Sequence, residues 1–241
     1  MRRLLSGSLL LPLLLALLTV PSRAEARAVT QVRTIGWTVE GRPIRAFRLG
    51  DPTSPNKAVF LGTIHGDEAG PAKILANLRD GAPITGADVW VVLYMNRDGF
   101  AHHRRTNARK VDLNRNFPVG WRRLTGRYYS GHKPASEPET RFVMRFLDGV
   151  NPDYVIGFHQ PLYGVDTYAG KTRTFSARLA HHLGLPRKTF TCNSVCHGTM
   201  TQWFNAKHAG VAVTVEYGRT VSARQVVVGA RGLLLAIGAR R

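Results

Sequence analysis

The sequence predicts a mixed, mainly parallel α/β sheet flanked by helices, and three observations carry that prediction. Residues 57–63 and 87–95 are apolar on both faces, as strands buried inside a parallel sheet are, and residues 70–80 between them have helical apolar spacing. Strand, helix, strand implies a parallel crossover. Two more short apolar runs, 154–158 and 211–215, supply further buried strands, while residues 29–49 alternate polar and apolar about Glu40-Gly41 and predict an antiparallel hairpin at the sheet edge.

The helices follow in order. The first closes at Gly81. Residues 96–132 are rich in Arg, Asn and Gly without a defensible period, and loops of that length are usually functional or disordered. Ser136 with Glu139 three residues later marks a helix start, with an apolar face running to Leu147 before Gly149. Residues 173–183 suit a helix stopped by Gly184 and Pro186, and 199–208 suit one stopped by Gly210. Residues 222–239 carry a stripe of valines and leucines suited to a C-terminal helix. There is no internal repeat and no low-complexity segment.

A chain of 241 residues, 44% hydrophobic, can bury a sizeable core. Arg2 and Arg3 precede a largely apolar stretch from Leu4 to Val20, which reads as a secretory signal peptide; the rival is a single membrane anchor. The expected organisation is therefore residues 1–26 as signal peptide, cleaved after 26 or 28, and residues 29–241 as one catalytic domain. The formal charge is +19, and losing residues 1–26 removes three arginines (Arg2, Arg3, Arg23) and one glutamate (Glu25), leaving +17. Arginine is spread along the chain, so the mature surface is basic and attracted to polyanions. In an exported protein these are anionic cell-wall polymers, and nucleic acid is not expected. Cys192 and Cys196 are the only cysteines, and in an oxidising compartment they would close a small disulfide loop; a zinc pair is the rival.

The chemistry begins at His65-Gly-Asp-Glu68, just after the strand at 57–63. A His and a Glu three apart are half a metal site. His159 follows the strand at 154–158, and Glu216 follows the strand at 211–215, so all four groups fall just past the carboxyl ends of buried strands, where open parallel sheets bind ligands. Two histidines and one carboxylate (His65, Glu68, His159) leave one tetrahedral position on zinc for water, which a catalytic site requires. Glu216 is then the general base that takes a proton and returns it to a leaving amine.

Resemblance becomes specific at Val111-Asp-Leu-Asn-Arg-Asn-Phe-Pro118, which is similar to the substrate-carboxylate motif of the zinc carboxypeptidases. Together with Arg105-Thr-Asn-Ala108, Ser136-Glu-Pro-Glu-Thr140 and His159-Gln-Pro161, it resembles the short bacterial branch of that family that acts on murein peptides. The likeness runs roughly from Arg33 to Arg219. It implies that Asn114 and Arg115 hold the substrate's terminal carboxylate and that Arg105, or its neighbour Arg104, stabilises the oxyanion. The family's cleft tyrosine has no obvious counterpart, since Tyr217 follows Glu216 too closely. The histidines at 102, 103, 132, 181, 182, 197 and 208 match no motif position and read as surface or structural, with His102 and His103 nearest the cleft.

The resulting expectation is a secreted zinc peptidase that cleaves the γ-D-glutamyl-diaminopimelate bond of murein peptides. A general carboxypeptidase or N-acyl amino acid deacylase is the first rival, which an acid placed for the distal amino group, such as Asp166, would separate. A non-catalytic basic wall-binding protein is the second.

Overall fold

The computed structural model describes residues 28–167, 170–191 and 194–241. The predicted signal segment 1–26 and the cysteine at 192 lie outside the described residues. In chain order the strands are β1 (Val29–Trp37), β2 (Pro43–Gly50), β3 (Lys57–Leu61), β4 (Asp88–Val92), β5 (Tyr154–His159), β6 (Gly164–Asp166), β7 (Arg187–Lys188) and β8 (Val211–Glu216). The α-helices are α1 (Ala72–Asp80), α2 (Arg97–Ala101), α3 (Pro138–Val150), α4 (Arg173–Leu183), α5 (Met200–Lys207) and α6 (Ala223–Ala236).

The eight strands form one sheet in the order β1-β2-β4-β3-β5-β8-β6-β7. Its centre, β4-β3-β5-β8, is parallel. The β1–β2 hairpin joins that centre antiparallel through β2 and β4, with β1 at the edge. This is the mixed, mainly parallel sheet that the apolar runs predict.

The two-residue alternation of β3 explains the layering. Ala58 and Phe60 face a core shared with Ile74 and Leu75 of α1, Phe175 and Leu179 of α4, and Leu233 and Leu234 of α6. Val59 and Leu61 face the opposite core, with Val143 and Phe146 of α3 and Trp203 and Phe204 of α5. A strand covered on both faces must be apolar throughout, and fully burying each large side chain stabilises by about 1.5–3 kcal/mol.

Several boundaries differ from the sequence expectation. The helix expected from Ser136 starts at Pro138, where a missing N–H costs nothing, and its N-cap is Glu137. The Ser136 hydroxyl instead donates to Glu137 Oε1 (2.7 Å) and accepts from Asn116 Nδ2 (2.9 Å). That helix also runs through Gly149 to Val150 and ends at Asn151, whose φ of 48° is left-handed. The unperiodic stretch 96–132 contains α2 and two single 3₁₀ turns, at Leu113–Arg115 and Gly126–Tyr128. Strands β6 and β7, three and two residues long, were not anticipated, because periodicity needs more residues to register. By contrast, Thr199 and Ser222 each form a complete capping box at the starts of α5 and α6.

Candidate metal centre

The four parallel strands end on one edge of the sheet, and the groups of interest gather there. After β3 the chain loops over that edge, tied to the loop leaving β4 by Gly62 N to Val92 O (2.8 Å), Met95 N to Gly62 O (3.1 Å) and Asn96 N to Thr63 O (3.0 Å). Gly66 is required in this loop: a Cβ there would lie 2.0 Å from the Gly99 carbonyl carbon. Its N–H donates to Arg105 O (3.2 Å), and Asn96, buried and capping α2, donates to the same carbonyl (3.0 Å). The metal loop therefore fixes the backbone of Arg105. His159 and Glu216, the last residues of β5 and β8, are direct neighbours across the sheet.

His65, Glu68 and His159 are buried and converge on one point. His65 Nδ1 lies 3.1 Å from His159 Nδ1 and 2.9 Å from Glu68 Oε2, and His159 Nδ1 lies 2.9 Å from the same oxygen. The other nitrogen of His65, Nε2, lies 3.0 Å from Asp112 Oδ1; a carboxylate there holds the ring proton and leaves the Nδ1 lone pair facing the cluster. Two imidazole nitrogens and a carboxylate oxygen packed this closely are a donor set that fits one cation. This is the set for which a borderline-soft metal with an open fourth position is suited. Among the described residues no other group of three such donors occurs.

Asp112 braces the site in two directions. Besides His65 it accepts from Arg105 Nε (2.9 Å), while Arg105 Nη1 reaches Glu68 Oε1 (3.2 Å). Burial opposes the Asp112 charge, but His65 and Arg105 outweigh it and hold the carboxyl well below its ordinary range. Asn114 accepts from Met200 N through Oδ1 (3.0 Å), and its Nδ2 lies 3.3 Å from His159 Nε2. Arg115 donates to Asn114 O (2.7 Å), and its buried Nε has no hydrogen-bond partner. Burial and the nearby Arg105 lower its pKa, against the pull of Asp112. A buried guanidinium with spare donors suits a ligand carboxylate.

Glu216 is buried beside His159, and burial raises its pKa above the ordinary glutamate value; its Oε2 accepts from Leu162 N (3.1 Å). A carboxylate of raised pKa is a stronger base for taking a proton from water. These groups open into a cleft of about 670 Å³, lined by His65, Glu68, His159, Asn114, Arg115, Arg105 and Glu216.

Some expectations need correction. Of the two neighbouring arginines, Arg105 lines the cleft, whereas Arg104 points to Glu40 at 4.0 Å. His102 also bonds Glu40 (2.9 Å) and does not line the cleft, while His197, read as surface or structural, does. Tyr217 is buried, and a Cβ at Gly229 in α6 would meet its hydroxyl at 2.7 Å, so it serves the core. Among the described residues the tyrosine that lines the cleft is Tyr128, whose ring lies 5.5 and 5.4 Å from the guanidinium carbons of Arg105 and Arg115. Neither Tyr128 nor Arg127 beside it carries a sequence signal. Asp112 was legible as part of a motif, but its role as the partner of His65, 47 residues away, was not. Asp166 lines the cleft, as does Cys196, whose expected pairing with Cys192 falls outside the described residues.

Residues 22–162 match the family model for zinc carboxypeptidase, which is more than half of the chain. The chain is 33% identical to murein peptide amidase A of Escherichia coli K12 over 142 residues, covering 53% of this chain and 58% of the relative. It is 29% identical to murein peptide amidase A of Vibrio campbellii over 161 residues, covering 61% and 64%. The chain thus spans less than two thirds of either relative's length. Among solved structures, the murein-tripeptide amidase of Escherichia coli O157 superposes with a TM-score of 0.70 at 26% identity, over 86% of this chain and 94% of that one. The carboxypeptidase A of Helicoverpa armigera has a TM-score of 0.72 at 17% identity, over 87% of this chain and 68% of that one, and shares the fold.

Proposed function

The chain belongs to the zinc carboxypeptidase family, and from that premise we propose that it is a secreted zinc peptidase hydrolysing the amide bond between γ-D-glutamate and diaminopimelate in murein peptides. One observation carries the reading: three buried metal donors, a buried carboxylate and a carboxylate-binding pair share one cleft. The likeness to murein amidases supports the substrate class. The basic stretch and apolar run at residues 2–20 support export, and the +19 formal charge supports retention on anionic wall polymers.

His65, Glu68 and His159 would hold the zinc ion, which supplies Lewis acidity that polarises an amide carbonyl and acidifies a water. Asn114 and Arg115 hold the terminal carboxylate of the substrate and so fix the position of its last amide bond. Arg105, kept in place by Asp112, donates to the oxygen that gains charge as the carbonyl is attacked. Glu216 takes the proton of the attacking water and passes it to the leaving amine nitrogen.

The purified mature protein with zinc should release diaminopimelate from L-Ala-γ-D-Glu-diaminopimelate. If the zinc-loaded enzyme leaves this tripeptide intact but trims ordinary peptides, the substrate assignment fails and a general carboxypeptidase remains.

A further inference from the structure

We propose that Arg127 is a specificity residue that receives the free α-carboxylate of the γ-linked D-glutamyl residue, on the acyl side of the scissile bond. The inference rests on the murein-peptide reading above.

Among the described residues three arginines line the cleft: Arg105, Arg115 and Arg127. Two are committed. Arg105 is held by Glu68 and Asp112, and Arg115, bonded to the Asn114 carbonyl, is assigned with Asn114 to the terminal carboxylate. Arg127 is exposed and makes no ion pair with any described carboxylate.

Its backbone is nevertheless well anchored. It sits in the Gly126–Tyr128 turn, closed by Tyr129 N to Gly126 O (3.1 Å) and fastened to the motif loop by Asp112 N to Tyr129 O (2.8 Å). On the other side Ser130 donates to Arg122 O (2.8 Å) and accepts from Leu124 N (2.9 Å). The next residue, Tyr128, lies against both committed guanidiniums. The turn that carries this guanidinium, which has no carboxylate partner among the described residues, is thus anchored on the wall of a cleft built to handle anions.

The chemistry of the bond supplies the missing partner. A glutamyl residue linked through its γ-carboxyl keeps its α-carboxylate, separated from the scissile carbonyl by three carbons. Most α-linked residues have no anion at that separation, and an α-linked glutamate, which does, carries its amino group beside the scissile carbonyl instead of beside the carboxylate. An arginine facing such a carboxylate gains charge-assisted, often bidentate hydrogen bonds, and so selects for the free carboxylate on the acyl side.

The test compares kcat/KM of the zinc-loaded enzyme and its Arg127→Gln and Arg127→Lys variants on three substrates. These are L-Ala-γ-D-Glu-diaminopimelate, its D-isoglutamine analogue with an α-carboxamide, and the analogue with lysine in place of diaminopimelate. The wild type should favour the α-carboxylate over the α-carboxamide by about tenfold or more, the scale of a hydrogen bond to a charged group. In Arg127→Gln that ratio should fall toward one, with Arg127→Lys between. Equal wild-type rates on acid and amide would overturn the assignment, as would a ratio that survives Arg127→Gln. A variant that loses instead its preference for diaminopimelate over lysine would also overturn it, since Arg127 would then read the distal carboxylate. Failure on all three tripeptides with cleavage of an ordinary peptide overturns the murein reading itself, and so is told apart from a fault in Arg127 alone.

Discussion

The floor of the cleft is made of groups at the ends of buried strands, whereas its outer wall includes turn and loop residues such as Arg127, Tyr128, Phe190, Thr191 and Ser194. On the floor, His65, Glu68 and His159 are buried, as is Asp112 behind His65, and each has polar partners within about 3 Å. On the wall, Arg127, Thr191 and Ser194 are exposed, and Ser194 has a left-handed φ of 67°. The contrast follows from the tasks. Bond cleavage needs fixed distances, which a two-sided core supplies, while recognition needs groups that reach a ligand from solvent.

Substitutions on the two sides should therefore differ in size and kind. The largest effect belongs to Glu216→Gln, which keeps shape and removes the base: kcat should fall by about 10²–10⁴-fold with metal content unchanged, read by steady-state kinetics beside metal analysis. Retained turnover would move the base elsewhere. Next is Asp112→Asn, which swaps the carboxylate behind His65 for an amide; metal affinity, measured by competition with a chelator, should weaken by about 10–100-fold. Tight binding in that variant would mean the floor does not depend on its brace. The smallest is Tyr128→Ala on the wall, which removes the ring shared by Arg105 and Arg115 and should lower kcat/KM by roughly three- to tenfold, the scale of cation–π contacts. A loss as large as that of Asp112→Asn would erase the distinction between floor and wall.

The same division governs how much could be read before any coordinates. The parallel centre was legible because strands covered on both faces are apolar throughout, and β3, β4, β5 and β8 all are nearly so. The floor was legible with it, since His65, Glu68, His159 and Glu216 each follow such a strand. The start of α3 was misread by one cap because Ser136 spends its hydroxyl on Glu137 and Asn116, a tertiary choice no local pattern announces. The wall was hardly legible. Tyr128 acts through its ring face and Arg127 through its place on an irregular turn, and neither leaves a period or a spacing.

The hydrogen bond from Gly66 N–H to the Arg105 carbonyl has a further consequence. The loop that carries two metal donors and the backbone of Arg105 are joined through main-chain atoms, so the separation of these two backbone segments does not hinge on a side-chain rotamer. Warming that loosens the surface would leave that gauge length unchanged. The side chains that reach the substrate are then set from a shared main-chain frame, and their final alignment rests on the bonds of Arg105 to Asp112 and Glu68.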